Sequence, residues 1–281
     1  MGRGAGKILN GLKLGSDGIY SYSFNNKDQE EEIRLRKKVA SRDYQNYLDV
    51  ISHSHSIPVM DKEVRTFLGS IPDNGDIIDV GGGWGWHWRD VELLRPDILV
   101  IIVDFIRENL QHAAKLLGNK INRNVFLVHG DALSLIFRDN TFDGYWSVQT
   151  LQHIPNFHKA VEEAYRVLKP GALFANYSLN EQSLISLIYG LFSKTYHISG
   201  TESGSFYLSR ASEEQLSIVN DYFCNKAQKR FTEVLFKPEL GIRFPGKERS
   251  ISGKVDSCLS SNSALLSSIA RQQSYHTTKP L

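Results

Sequence analysis

The stretch IIDVGGGWGWHW, residues 77–88, decides the fold of this chain. An acidic residue flanked by aliphatic residues leads into four glycines, and three tryptophans stand among and after them. The apolar run predicts a buried strand, and the glycines predict a loop whose backbone can adopt positive φ and approach a ligand closely. A glycine loop between a strand and a helix is a typical cradle for a nucleotide. The stretch therefore predicts a ligand at the end of a buried strand.

Downstream of this loop, short apolar runs alternate with segments of helical period. The strand candidates are 98–104, 125–131, 142–148 and 172–177, and the helix candidates between them are 86–95, 105–118 and 158–169. Continuously apolar strands are typical of parallel strands covered on both faces. Two further strand candidates, 229–236 and 274–281, are expected to close the sheet edge as an antiparallel pair, with a helix over 263–272 between them. We predict an α/β fold with a doubly wound, mostly parallel sheet of seven strands.

Composition sets limits on partners and compartment. With 281 residues, of which 41% are hydrophobic, the chain can bury a sizeable core. The 33 basic and 31 acidic residues are too balanced to indicate a nucleic-acid or membrane footprint. Cys224 and Cys258 form no disulfide framework, and no signal core or membrane-length apolar run is present, so we expect a cytoplasmic protein. His53 and His55 lack a third ligand nearby, so no metal site is predicted.

Residues 1–70 are predicted to form an N-terminal arm and a helical cap, and 71–281 the main domain. The opening GRGAGKI does not have the spacing of a phosphate loop, so we expect a flexible terminal arm. Acidic residues followed by basic ones four positions later predict an exposed helix over 28–50. A second helix is predicted after Pro58, ending near Gly69.

Acidic residues stand at the ends of the first two strand candidates. The first strand ends near Asp79 and the second at Asp104. In doubly wound sheets ligands bind beyond the carboxyl ends of the strands, where the strand order reverses. A carboxylate at the end of the second strand can accept hydrogen bonds from both hydroxyls of a ribose. A dinucleotide-binding loop would require glycine where Trp86 stands, which argues against a pyrophosphate cofactor.

The later strand ends carry further short motifs. The third strand candidate ends in GDA, 130–132, a small acidic turn suited to an exocyclic amine and an apolar ring face. The fourth leads into LQHIPN, 151–156. The next helix ends in RVLKPG, where Pro170 and Gly171 occupy the central positions of a predicted type II turn.

Together, the motifs D-x-G-G-G-x-G, V-D, G-D-A, F-D-x-x-x-S, L-Q-H-I and R-V-L-K-P-G resemble those of the class I S-adenosylmethionine-dependent methyltransferases, particularly the small-molecule group of methyltransferase type 11. The resemblance runs from Asp76 to Tyr177, a little over a third of the chain. It is specific for cofactor and fold and says little about the substrate. Ala172 stands where the pattern usually has a second glycine, and the tryptophans lie outside the pattern.

The resemblance implies that S-adenosylmethionine is the cofactor and that Asp79 holds its amino group. The loop around its methionine part would comprise Gly81, Gly82, Gly83 and Gly85. Asp104 would bind the ribose hydroxyls, with Phe105 against the adenine.

Further residues are implied at the adenine and the methyl group. Asp131 would accept the adenine amino group, and Ala132 would border the ring. Ser147 and Val148 would line the cofactor beneath the transferred methyl.

Two sets of residues are candidates for contact with the reacting groups. His153 follows the fourth strand and is the candidate general base for a hydroxyl acceptor, the alternative being a histidine that orients its loop. The four tryptophans could pack in the core, or one could touch the cationic sulfonium with its ring face. Those residues are Trp84, Trp86, Trp88 and Trp146.

Residues 180–206 are predicted to be a helical lid insertion over the substrate. Leu184, Leu187, Ile188 and Leu191 form an apolar stripe, and a loop with glycine and serine follows. The alternative is a helix packed on the sheet.

We therefore expect transfer of a methyl group to a small molecule, with a hydroxyl oxygen of a sugar or of a secondary or lipid metabolite as the acceptor. Two alternatives stay open: an RNA or protein methyltransferase, and a module that binds S-adenosylmethionine without turnover. The balanced charge and the lack of an N-P-P-Y motif argue against nucleic acid as a partner. The sequence leaves open a homodimer.

Overall fold

A computed structural model provides the structure of the protein. It describes residues 4–24, 34, 37, 57–180, 183–192, 212–224, 227–234, 254–256, 258–259, 266 and 268–281. The predicted helix over 28–50, apart from positions 34 and 37, lies outside the described residues, as do His53, His55 and residues 263–265 and 267 of the predicted helix over 263–272. The end of that helix prediction is wrong, because residues 269–272 are not helical and Gln272 begins a strand.

Nine strands and seven α-helices are defined in the described residues. The strands are β1 (Lys13–Leu14), β2 (Tyr20–Ser21), β3 (Asp76–Val80), β4 (Leu99–Asp104), β5 (Val125–His129), β6 (Phe142–Val148), β7 (Leu168–Leu179), β8 (Gln228–Thr232) and β9 (Gln272–Thr278). The helices are α1 (Ala5–Ile8), α2 (Ile57–Gly69), α3 (Val91–Leu94), α4 (Arg107–Leu117), α5 (Phe157–Val167), α6 (Leu184–Leu191) and α7 (Glu213–Phe223). Short 3₁₀ turns cover Trp86–Trp88, Gly118–Lys120 and Leu151–His153.

The strands form one sheet in the order β1-β2-β5-β4-β3-β6-β7-β9-β8. Strands β2 to β7 run parallel to their neighbours, whereas β9 is antiparallel to both β7 and β8, and β1 to β2. The chain moves outward from β3 to β5 and then returns to place β6 on the other side of β3. The glycine loop that follows β3 therefore lies at the point where strand order reverses, the usual ligand site of such sheets.

Helices cover both faces of the sheet, because its central strands are apolar on both sides. All six residues of β4 are buried. One core cluster joins the sheet to α2 and α4 and includes Phe67, Leu110 and Trp146. The other joins it to α1, α5 and α7 and includes Val161 and Phe223. This layered arrangement confirms the predicted α/β fold with a mostly parallel sheet.

The described sheet has nine strands where seven were expected. The additional pair, β1 and β2, lies in the segment 1–70 that was predicted to be an N-terminal arm and a helical cap. The opening residues 2–8, expected to be flexible, include the helix α1. Ala5 and Ile19 are fully buried, and β2 pairs in parallel with β5. Two-residue strands are too short to show a hydrophobic period, so the sequence contains no signal for them.

The structure also differs from the prediction of one continuous helix over 86–95. It is split into the 3₁₀ turn Trp86–Trp88 and the single-turn helix α3. The helix predicted after Pro58 and the antiparallel pair at the sheet edge are both present, as α2 and as β8 with β9. None of the helices in the described part of the chain is long and apolar enough to cross a bilayer.

Candidate functional site

An open cleft lies at the carboxyl ends of β3 to β6. Most residues predicted to bind the cofactor, together with the predicted base, line it: Gly81, Gly83, Asp104, Phe105, Asp131, Ala132, Val148 and His153. Four other predicted residues, Asp79, Gly82, Gly85 and Ser147, are not among the lining residues. The cleft carries carboxylates from two adjacent strand ends, those of Asp104 after β4 and Asp131 after β5.

Asp104 ends β4 and organises the middle of the cleft. Its Oδ2 accepts a hydrogen bond from the Gly83 N–H at 3.0 Å, and its Oδ1 accepts one from the Ile106 N–H at 2.8 Å. The Asn109 side-chain amide is 3.4 Å from the same Oδ1. Asp104 thereby joins the glycine loop after β3 to the start of α4, while its carboxylate remains part of the cleft wall.

Two glycines of the loop have conformations that other residues rarely adopt. Gly81 has φ +73°, and a Cβ there would overlap the side chain of Thr150. Gly83 has φ +53°, and a Cβ there would meet only the Gly81 carbonyl oxygen at 3.9 Å and Asp104 Oδ2 at 4.0 Å. The space over Gly83 is therefore open, and a ligand can approach the backbone at this point.

Gly82 and Gly85 have packing roles instead. A Cβ on Gly82 would overlap the carboxyl group of Asp79, and one on Gly85 would lie 2.8 Å from Leu117 Cδ1. These two glycines hold the loop against β3 and α4.

Asp79 lies beneath the glycine loop and is almost fully buried. Its Oδ2 accepts a hydrogen bond from the Trp88 indole N–H at 2.6 Å. Its Oδ1 is buried and has no hydrogen-bond partner among the described residues. Burial raises the pKa of the Asp79 carboxyl to about 7, the Asp104 carboxylate acts in the same direction, and the Trp88 hydrogen bond opposes both. An unpartnered carboxylate oxygen suits a cationic or hydrogen-bond-donating ligand group.

Ser147 does not line the cleft, although the resemblance places it beneath the methyl group. Its side chain is fully buried, and its hydroxyl donates to the Val80 carbonyl oxygen at 2.9 Å, joining the ends of β6 and β3. Gln149, which sequence reasoning missed, lines the cleft with φ +52°. Its side-chain amide donates to Gln272 Oε1 at 3.0 Å, so β9 supports this wall from behind.

His153 is half-buried at the cleft wall, and its neighbour Gln152 determines its tautomer. Gln152 Oε1 accepts a hydrogen bond from the Leu179 N–H at 2.7 Å, so the other end of the amide is its NH₂ group. That NH₂ group lies 3.1 Å from His153 Nε2 and donates to it. The imidazole is therefore held with an unprotonated Nε2 and its proton on Nδ1.

None of the four tryptophans is among the residues that line the cleft. Trp88 and Trp146 are fully buried and meet edge to face, with ring centroids 6.1 Å apart. Trp84 stacks on His112 at 3.9 Å, and the Arg89 guanidinium lies over the ring of Trp86. The structure therefore assigns these side chains to packing.

The amino-acid sequence matches those of known methyltransferases over the residues that form this cleft. A family described as a methyltransferase domain matches residues 78–176. The ubiquinone/menaquinone biosynthesis C-methyltransferase of Rickettsia typhi is 28% identical over 187 residues, which cover 62% of this chain and 73% of that protein. The 24-methylenesterol C-methyltransferase 2 of Arabidopsis thaliana is 30% identical over 119 residues, which cover 41% of this chain and 32% of that protein.

A solved structure from Thermotoga maritima has the same fold. It is described as an S-adenosylmethionine-dependent methyltransferase and possible histamine N-methyltransferase. The TM-score is 0.57 at 18% identity, and the match covers 88% of this chain and 98% of the other.

Proposed function

Since this chain carries a class I S-adenosylmethionine-dependent methyltransferase domain, we propose that it transfers the methyl group of that cofactor to a small-molecule acceptor in the cleft. The observation that carries the proposal is the placement of Asp104 and Asp131 at the ends of two adjacent strands, with Asp104 next to the open backbone at Gly83. The cytoplasmic location and the small acceptor in place of nucleic acid, both expected from the sequence, are parts of the same proposal. A homodimer, which the sequence leaves open, is compatible with it.

The residues present fit the cofactor. The unpartnered Oδ1 of Asp79 supports a role in holding the amino group, and the open space over Gly83 supports close approach of the methionine part. Asp104 would hold the ribose, and Asp131 with Phe105 would hold the adenine. When bound, S-adenosylmethionine supplies an electrophilic methyl on a sulfonium for in-line displacement. The chain's own contribution is alignment, which can lower a barrier by roughly 7–11 kcal/mol.

The acceptor would enter beside Val148, Gln149 and His153, on the side of the cleft away from Asp131. We propose a hydroxyl oxygen as its methylated atom. A carbon acceptor is the second candidate, because the Rickettsia and Arabidopsis relatives are named as C-methyltransferases. We also propose that α6, the described helix of the predicted lid insertion 180–206, closes over this acceptor, since it follows the end of β7 and exposes Leu187 and Leu191. Residues 181–182 and 193–206 of that insertion lie outside the described residues.

A screen of small hydroxylated and quinol-type acceptors, read out as S-adenosylhomocysteine release, tests this function. We expect release that depends on one acceptor class, with a product one methyl heavier. NMR of that product separates an O-methyl from a C-methyl group. Binding of S-adenosylmethionine without release from any acceptor, including RNA and protein, would instead support the non-catalytic module.

We expect His153→Ala to lower kcat about tenfold and to change the Kd for S-adenosylmethionine less than about twofold. The expected loss lies below the usual range for a general base for two reasons: the Nε2 lone pair of His153 already accepts a hydrogen bond from Gln152, and alignment supplies much of the acceleration. Steady-state kinetics and isothermal titration calorimetry measure the two effects. His158→Ala, on the exposed side of α5, is the matched control. Equal turnover in the His153 variant would remove this histidine from the mechanism.

Cofactor affinity is expected to depend on pH through Asp79. Because burial raises the pKa of this carboxyl to about 7, lowering the pH below 7 neutralises it and removes its attraction for the cationic amino group. We expect the Kd for S-adenosylmethionine to rise about tenfold from about pH 7.5 to about pH 6. Calorimetry across this range measures the change, and Asp79→Asn should flatten the profile. A wild-type Kd that is constant over the range would contradict the role of Asp79.

A further inference from the structure

The segment 13–24 lies along the end of the cleft where β5 stops, and the proposed reaction assigns it no role. β2 pairs in parallel with β5, with Tyr20 opposite Val128 and Ser21 opposite His129. The chain beyond Ser21 therefore continues past the turn that carries Asp131. An ion pair fixes the segment to the start of α4, because Arg107 contacts both carboxylate oxygens of Asp17 at 2.8 Å.

Tyr22 closes the turn that carries the predicted adenine carboxylate. Its hydroxyl accepts a hydrogen bond from the Asp131 N–H at 3.0 Å and donates to the Ser134 carbonyl oxygen at 2.8 Å. Within this turn, Asp131 Oδ1 accepts from the Leu133 N–H at 3.0 Å. The hydroxyl thus binds both ends of the 131–134 turn, and the turn sets the direction of the Asp131 carboxylate.

The ring of Tyr22 packs against Gly130, the residue before Asp131. A Cβ on Gly130 would lie 2.5 Å from both Cε1 and the hydroxyl oxygen of Tyr22. The tyrosine ring therefore occupies the room that a side chain at position 130 would need. Gly130 lines the cleft, so the ring packs directly behind the cleft wall.

The same segment also braces the opposite wall at the adenine end. The ring of Phe24 meets His129 edge-on, with centroids 5.2 Å apart. His129 Nε2 lies 3.1 Å from the Phe105 carbonyl oxygen, which can only accept, so the imidazole donates this hydrogen bond. Burial lowers the pKa of His129, which favours the neutral ring. Tyr22 and Phe24 together support both sides of the place predicted for the adenine ring.

We propose that Tyr22 is a positioning residue for recognition of the adenine amino group, and that residues 22–24 are a structural part of the cofactor site. This inference rests on the proposed function, in which Asp131 accepts a hydrogen bond from that amino group. Tyr22 acts through Asp131: it holds the turn in which the carboxylate faces the cleft.

The test compares two ligands that differ at the amino group. S-adenosylhomocysteine carries the amine, whereas S-inosylhomocysteine has a carbonyl oxygen in its place. We expect Tyr22→Phe, which keeps the ring and removes the hydroxyl, to raise the Kd for the adenine form roughly tenfold. The Kd for the inosine form should rise less than about twofold, so the preference for adenine narrows. Tyr20→Phe, the same change on the same strand, should leave both Kd values unchanged.

The outcomes separate this inference from the proposed function. An equal loss of affinity for both ligands would show a merely structural role for Tyr22 and overturn the inference, as would unchanged affinity for both. Failure of the wild-type protein to bind S-adenosylhomocysteine would overturn the function itself. Gly130→Ala gives an independent check. In the wild-type protein its methyl group would clash with the ring of Tyr22, whereas in a Tyr22→Ala variant the ring is absent. Gly130→Ala should therefore weaken binding of S-adenosylhomocysteine more in the wild-type protein than in Tyr22→Ala.

Discussion

Replacement of Asp104 by alanine is expected to raise the Kd for S-adenosylmethionine about a thousandfold. In the proposed complex the carboxylate binds two ribose hydroxyls, and hydrogen bonds to a charged group contribute roughly 1.5–3 kcal/mol each. The substitution also leaves the N–H groups of Gly83 and Ile106 without their acceptor, so the glycine loop loses its link to the start of α4. Both effects act on the same binding site.

Isothermal titration calorimetry measures this loss, and the free energy of unfolding shows whether the variant is folded. Asp73→Ala is the matched control, because its side chain is 97% exposed and lies on the loop before β3, outside the cleft. The control should bind like the wild type. A folded Asp104 variant with wild-type affinity would contradict the proposed cofactor site as a whole.

Gly81→Ala is expected to produce the second largest effect, lowering the free energy of unfolding by about 2–4 kcal/mol and weakening cofactor binding about a hundredfold. A positive φ costs a residue with a Cβ roughly 1–2 kcal/mol, and overpacking adds roughly 1–3 kcal/mol. The added methyl would displace Thr150, whose hydroxyl lies 3.1 Å from the Gly81 carbonyl oxygen. Since Thr150 lines the cleft, the disturbance reaches the site directly.

Chemical denaturation and calorimetry measure the two changes for Gly81→Ala. Gly69→Ala, at the end of α2, is a suitable control, because a Cβ there would meet nothing within 4 Å. It should change neither stability nor affinity by much. A stable Gly81 variant with normal affinity would show that the loop tolerates a side chain facing Thr150.

The features that could be predicted from the sequence are those that depend on residues close together in the chain. β4 was predictable because a short, uninterrupted run rich in β-branched residues is typical of a strand covered on both faces. Asp104 was predictable because it stands at the end of that run. The glycines were predicted as one functional set, but the structure divides them: Gly81 and Gly83 line the cleft, whereas Gly82 and Gly85 pack behind it.

The contacts that could not be predicted join residues far apart in the chain. Tyr22 contacts Asp131 across more than a hundred residues, and Gln149 contacts Gln272 in the same way. A single tyrosine or glutamine carries no local pattern that identifies such a partner. The Trp88 hydrogen bond to Asp79 spans only nine residues, yet it depends on the split of a predicted helix into two short turns.

The position of β9 has a consequence for how the protein is made. β9 lies between β7 and β8, although both precede it in the chain. Roughly 90 residues separate the end of β7 from the start of β9, which a ribosome translates in about 5–20 s. During that interval the nascent polypeptide exposes an unpaired strand edge that is prone to aggregation. The wall behind Gln149 is also incomplete until Gln272 has emerged, so we expect the proposed cofactor site to be completed late in biosynthesis.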